Sequence, residues 1–170
     1  KFTLKDLTST VRDAAKDLVI DDIDKAYELA KKSDNILYLA DNAGEIVFDT
    51  LLVEQLKNMG LKVTYVVKGA PVINDATLDD VAFCNMDKLA DEIITTGTDA
   101  VGLLKKEVSE EFMKVYNEAK LVFAKGMGYA ETLTEYKLTK PHLLLFRTKC
   151  VPVANYFCSP RDKNIAKLMP

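Results

Sequence analysis

The sequence predicts an α/β domain: a Rossmann-like parallel sheet of about five strands with helices on both faces, preceded by a short helical segment. Three observations carry this. Short apolar, β-rich runs recur between residues 35 and 146, each closed by a polar or Gly-containing turn. Amphipathic helical patterns separate these runs, which is the arrangement of right-handed βαβ units. A chain of 170 residues with 48% apolar and 29% charged content is ordinary for one soluble domain with a core.

The elements follow in order. Leu4, Leu7, Val11, Ala14, Ala15 and Leu18 recur at helical spacing, so residues 4–18 are expected to be a helix. Ile23, Ala26, Tyr27, Leu29 and Ala30 give a second helix over 22–32. The first strand is 35–40, followed by a helix over 45–59 that Gly60 closes. The second strand is 62–67, ended by Lys68-Gly69-Ala70-Pro71, with a helix over 78–84 capped by Asp75 or Thr77. The third strand, 92–95, precedes a helix from Ser109 to about 119. The fourth strand, 120–124, precedes a helix over 130–136, and the fifth is 143–146. Residues 150–170 carry three of the five prolines and give no clear pattern. Residues 1–33 are read as a helical segment, the remnant of a larger helical domain, and 34–170 as the α/β metal- and phosphate-binding domain. The first residue is Lys rather than Met, so the sequence is read as a piece of a longer polypeptide or a chain whose start lies outside it.

The totals exclude some functions. The net charge is −3 and the lysines are scattered, which gives no footprint for nucleic acid or an anionic membrane. No apolar run approaches the roughly 20 residues that cross a bilayer, and no signal-peptide pattern opens the sequence. Cys84, Cys150 and Cys158 are widely spaced, with no zinc-type pattern, and are expected to stay reduced in a cytoplasm. Cys150 is read as a packing residue. His142, the sole histidine, starts an apolar run and is read as structural, which leaves a serine–histidine or cysteine–histidine pair unsupported.

The strand ends carry the chemistry. In a parallel sheet the five carboxyl ends share one edge, where ligands bind. Here they read Asp41-Asn42, Lys68-Gly69, Thr96-Gly97-Thr98, Lys125-Gly126, and Arg147 with Lys149. Asp41 and Asn42 are hard oxygen donors suited to Mg²⁺ or Mn²⁺, and Asp75 could complete their set. Gly44 and the helix start beyond it offer backbone N–H groups to an anion. The lysines and glycine turns suit phosphate oxygens. Against this stands a plain structural reading, in which Asp41 or Asn42 and Asp75 only cap helices and the lysines only face solvent. Lys125-Gly126-Met127-Gly128 is not a Walker loop, and no Gly-x-Gly-x-x-Gly follows the first strand.

With these residues in view, the sequence resembles the damage-control phosphatase family, also known as domain of unknown function 89, most closely its archaeal and bacterial-type branch. The resemblance covers roughly residues 35 to 155. It rests on Asp41-Asn42-Ala43-Gly44-Glu45, on Lys68 through Thr77, on Ile94 through Gly102, on Ala124-Lys125-Gly126-Met127-Gly128, and on Lys149-Cys150 with Pro152-Val153-Ala154. It implies a metal-dependent phosphatase acting on small phosphorylated metabolites, including sugar phosphates. By that resemblance Asp41, Asn42 and Asp75 hold a divalent metal (Mg, Mn, Co or Ni), and Lys149 binds the phosphate. Glu45, Lys68, Thr98, Lys125 and Gly126 line the substrate pocket. The chain departs from the family in two places. The usual Gly-Asn-Tyr/Phe-Glu of the fourth-strand loop is replaced by Gly128-Tyr129-Ala130-Glu131, and only residues 1 to 33 stand where members carry a large helical domain.

The expected function is therefore metal-dependent hydrolysis of a phosphate monoester, with Asp41, Asn42 and Lys149 as the catalytic set. Water is favoured as the nucleophile over Asp41, because residue 43 is Ala and the Asp-x-Asp of a phosphoaspartyl route is missing. A non-catalytic phosphometabolite-binding module is the alternative. A methyltransferase is a third reading, disfavoured because the second strand ends in Lys68 rather than an acidic residue. The partner expected is a small phosphorylated metabolite, with neither nucleic acid nor membrane, and a homo-oligomer is left open.

Overall fold

The computed structural model describes residues 16–170 together with Ser9, Asp13 and Ala14. Among these, one seven-stranded sheet runs in the order β1-β7-β6-β5-β2-β3-β4. Its strands are β1 (Leu18–Asp21), β2 (Asn35–Leu39), β3 (Lys62–Val67), β4 (Glu92–Thr95), β5 (Leu121–Lys125), β6 (His142–Arg147) and β7 (Asn164–Met169). β2 to β6 pair in parallel with one another. The helices are α1 (Ile23–Ala30), α2 (Ile46–Asn58), α3 (Leu78–Phe83), α4 (Glu110–Glu118), α5 (Met127–Leu133) and α6 (Val151–Tyr156). A 3-10 turn, Ala43–Glu45, leads into α2.

The alternation of the central strands divides the core into two layers. Ile36, Tyr38 and Ala40 of the β2 segment join Val63, Tyr65 and Val67 of β3 on one face, under Ala26 and Ala30 of α1 and Ile46, Val53 and Leu56 of α2. Leu37, Leu39, Val66, Val122 and Ala124 point the other way, against Phe112 of α4, Tyr129 and Leu133 of α5 and Val153 of α6. Buried on both sides, the strands read as apolar runs, which is why they were legible.

Two helix starts show local sequence at work. Ser109 Oγ accepts the Phe112 N–H at 3.1 Å and caps α4. Thr77 and Asp80 form a capping box at α3, the Asp80 carboxylate accepting the Thr77 backbone N–H at 2.8 Å. Of the two caps the sequence offered for this helix, Thr77 takes the place, which leaves Asp75 uninvolved.

The sheet differs from expectation at its edge. It has seven strands rather than about five. β7 runs antiparallel to β6, and β1 pairs parallel to β7. Leu18 lies in β1 rather than in the helix expected over 4–18, whose other residues fall mostly outside those described. Residues 18–30 thus belong to the α/β body, not to a separate helical segment. β1 escaped notice because Leu18 also fits the preceding helical spacing, and β7 because only Ile165 and Ala166 are fully buried in it. α5 begins at Met127, not at residue 130, since Gly126 lets the chain turn directly from β5 into the helix. No helix among the described residues is long and apolar enough to cross a membrane.

Candidate functional site

The parallel pairing of β2 to β6 sets their carboxyl ends along one edge, and backbone hydrogen bonds lace the loops there. Ala76 N–H donates to the Asp41 carbonyl at 2.8 Å, and Ala43 N–H to the Asn74 carbonyl at 2.8 Å. Asn42 and Asp75 face each other in an isolated antiparallel bridge. Lys68 N–H donates to the Ala76 carbonyl, and Gly69 N–H to the Thr98 carbonyl at 3.0 Å. Gly69 is required for that approach: a Cβ there would lie 2.5 Å from Thr98 N. Asp41, Asn42 and Asp75 are thereby brought together from two loops more than thirty residues apart in sequence.

Neither Asp41 nor Asn42 caps a helix through its side chain. The Asn42 amide instead donates to Asp41 Oδ2 at 2.8 Å and to Glu45 Oε1 at 2.6 Å. Burial, then the charges of Glu45 and Asp75, push the Asp41 carboxyl up to about 6, against the opposing pull of Lys149 and Lys125. Beside it, the Tyr129 hydroxyl is buried with no hydrogen-bond partner. Burial raises that hydroxyl well above its ordinary range, and the nearby Asp75 and Asp41 charges add to the effect. Lys68 passes behind: its ammonium lies 4.8 Å over the Tyr129 ring, donates to the Ala100 and Gly102 carbonyls at 2.7 and 3.1 Å, and stands 3.7 Å from Asp75 Oδ2. Its pKa is lowered by burial, with Asp75 opposing.

The donor set suits a divalent cation. Two carboxylates and an amide are hard oxygen-bearing groups, the charge at Asp41 is under-compensated, and a buried hydroxyl beside them lacks a partner. Among the described residues no three His, Cys, Asp or Glu side chains converge as a ready cluster, so the amide of Asn42 is a necessary member.

Asp41 also opens onto a cleft of about 500 Å³, lined with Glu45, Gly126, Met127, Arg147 and Lys149. Lys149 is exposed in this cleft and makes no hydrogen bond within it, whereas Arg147 leans outward to Asn164 and Asp17. Lys125 ends β5 beside it and bridges Glu45 Oε2 at 2.8 Å and Asp49 Oδ1 at 2.7 Å. Thr98 is set apart: its hydroxyl accepts the Ala100 N–H at 3.1 Å and its carbonyl ties the β3 and β4 loops, with no contact to Asp41. A cavity of about 350 Å³ at the strand starts, near Asn35, Lys62 and Glu92, touches none of these residues.

His142 is fully buried; its Nε2 lies 2.7 Å from the Tyr116 hydroxyl and its Nδ1 2.8 Å from the Lys140 carbonyl. Burial holds it down to about 4, which suits a structural imidazole. Cys84, Cys150 and Cys158 are free thiols, and Cys150 packs against the second core layer.

The family model of the damage-control phosphatase ARMT1-like domain matches residues 2–165. The chain belongs to this family. An uncharacterized protein of Methanocaldococcus jannaschii is 48% identical over 126 residues, covering 73% of this chain and 41% of that protein. A damage-control phosphatase of Pyrococcus horikoshii is 40% identical over 162 residues, covering 94% of this chain and 56% of its own length. A crystal structure of a DUF89 family protein from Pyrococcus horikoshii superposes with a TM-score of 0.90 at 38% identity, covering 98% of this chain and 58% of that one. The chain spans about half the length of the curated relatives it matches.

Within this ARMT1-like domain, sequence reasoning missed Asp49 and Tyr129. Asp49 stands one helical turn after Glu45, on the same face, and that spacing was the available signal. Tyr129 was noted only as a departure from the family pattern.

Proposed function

We propose that this ARMT1-like domain is a metal-dependent phosphatase that hydrolyses monoesters of small phosphorylated metabolites such as sugar phosphates. The observation that carries the reading is the convergence of Asp41, Asn42 and Asp75 at the edge where Lys125 and Lys149 face the Asp41 carboxylate. Oxygen donors and cations side by side are what a phosphate ester with its counter-cation needs. The names of the archaeal relatives, two of them damage-control phosphatases, point the same way.

In this reading Asp41, Asn42 and Asp75 hold the divalent cation (Mg²⁺, Mn²⁺, Co²⁺ or Ni²⁺). A cation bound there would polarise a phosphoryl oxygen and template the reacting groups. Lys149, exposed in the cleft, meets the phosphate, and Lys125 offsets the charge on its oxygens. Glu45 keeps Asn42 and Lys125 in place through its two carboxylate oxygens. Gly126 admits the Asp41 carboxylate against the backbone. Lys68 neutralises Asp75 from behind rather than reaching the cleft. Water is the nucleophile. The free thiols fit a reducing, cytoplasmic setting.

The test is phosphate release from p-nitrophenyl phosphate and a panel of sugar phosphates. The protein is stripped with EDTA and then supplied with each of the four metals. Metal-dependent turnover supports the reading. Folded protein that binds the phosphate compounds equally well with chelator and never turns them over would instead be a binding module.

A further inference from the structure

The buried carboxylate of Asp49, on the first turn of α2, has no evident place in phosphate chemistry: it is sealed from solvent and lies behind Lys125. Its hydrogen bonds are all accounted for. Oδ1 accepts from the Tyr38 hydroxyl at 2.9 Å and from Lys125 Nζ at 2.7 Å, and Oδ2 accepts from the Tyr65 hydroxyl at 2.7 Å. The two tyrosines sit opposite each other in the β2–β3 register and stack at 5.1 Å, so the base of this network is part of the sheet itself. At the other end, Lys125 bonds Glu45, Glu45 accepts from Asn42, and Asn42 donates to Asp41. One unbroken hydrogen-bonded chain thus runs from the core tyrosines to the strand-end carboxylate.

An isolated carboxylate would not be tolerated in such a place; one with a cation and two hydroxyl donors is. A lysine ammonium has three donors. Glu45 and Asp49 fix two of them, and among the described residues no acceptor takes the third. Burial alone would lower the Lys125 pKa, yet Asp49 and Glu45 outweigh it and raise the pKa.

We infer that Asp49 is a positioning residue that acts through Lys125, anchoring the ammonium to the core so that its third N–H faces a phosphate oxygen. The inference rests on the phosphatase reading and deepens it: the phosphate-binding charge at β5 is set from within the helix–sheet layer, not by the cleft residues alone. Asp49 touches no substrate.

The test is a cycle of four proteins: wild type, Asp49→Asn, Lys125→Met and the double variant, each checked for folding by circular dichroism. Inorganic phosphate is titrated into each in the presence of Mn²⁺. Asp49→Asn should weaken phosphate binding by about tenfold or more, as loss of an outer-shell partner does. It should cost nothing further in the Lys125→Met background, since the effect travels through Lys125. Unchanged affinity in Asp49→Asn, or an equal loss in both backgrounds, overturns the inference. Thermal unfolding gives a second readout. Lys125→Met should melt below wild type because it strands a buried charge, and adding Asp49→Asn should raise the melting temperature again. A double variant that melts still lower makes Asp49 a core residue only and overturns the inference. A wild type that binds no phosphate with Mn²⁺ sinks the phosphatase reading itself, and the inference with it. Wild-type binding unaltered by Asp49→Asn sinks the inference alone.

Discussion

Gly126 lies directly beneath the Asp41 carboxylate: a Cβ at residue 126 would sit 2.2 Å from Asp41 Cγ. Its φ of +89° is also a conformation that other residues adopt only with strain. Gly126→Ala is therefore expected to cost about 1–3 kcal/mol of stability. It should also push Asp41 off its position, cutting kcat/KM by about tenfold or more. Denaturant unfolding beside steady-state kinetics checks both. Wild-type kinetics in the variant would show that the close approach does not matter.

Asp41 ties stability to pH. Its carboxyl titrates near 3.8 when unperturbed and about 6 in the fold, so the folded state holds its proton over that interval. The sign follows. Below about pH 4 both states are protonated and the group costs nothing. As pH rises through 6 the native carboxylate must ionise among Glu45 and Asp75, and stability falls. Asp41→Asn removes the charge. In metal-free protein it should be more stable than wild type at pH 7 by about 1–2 kcal/mol, discounted for partial solvent exposure. The gap should close towards pH 4. Urea unfolding at several pH values measures it, and a gap independent of pH contradicts the assignment.

The Tyr129 hydroxyl is buried without a partner in the metal-free fold. Tyr129→Phe should therefore raise the stability of chelator-treated protein, by about 1 kcal/mol. A fall in the unfolding midpoint would reveal a hydrogen bond that the geometry lacks.

Lys68 is nearly inaccessible, and its ammonium serves two carbonyls as well as Asp75. Lys68→Met leaves all three unserved and is expected to destabilise the fold by about 2–3 kcal/mol. An unchanged unfolding midpoint would mean that Lys68 is dispensable to the architecture.

The central strands were legible because burial on both faces writes them as unbroken apolar runs; β3 and β4 begin and end where the pattern placed them. β1 and β7 were not legible. β1 is four residues of alternating exposure following a helical period, and β7 offers two buried side chains amid polar ones. At the site, the crossover rule was enough to bring Asp41, Asn42 and Asp75 to one edge, and the loop bonds around Ala43 and Ala76 hold them there. Sequence could not reveal which lysine faces the cleft. Lys68 and Lys125 both end strands, but only tertiary packing turns Lys68 inward to the Ala100 carbonyl and sets Lys125 between Glu45 and Asp49. Nor could it separate Thr98 from the cleft, since the hydroxyl is consumed within its own loop.

The central claim is a divalent-cation site at the ends of β2 and β3. It is tested most directly by titrating Mn²⁺ into EDTA-stripped protein and reading free Mn²⁺ by electron paramagnetic resonance, for wild type and Asp41→Asn. The account predicts one site in wild type, weakened by about tenfold or more in Asp41→Asn, since the substitution replaces a hard anionic donor with a neutral one. Equal Mn²⁺ binding by the two proteins, or none by a folded wild type, would contradict it.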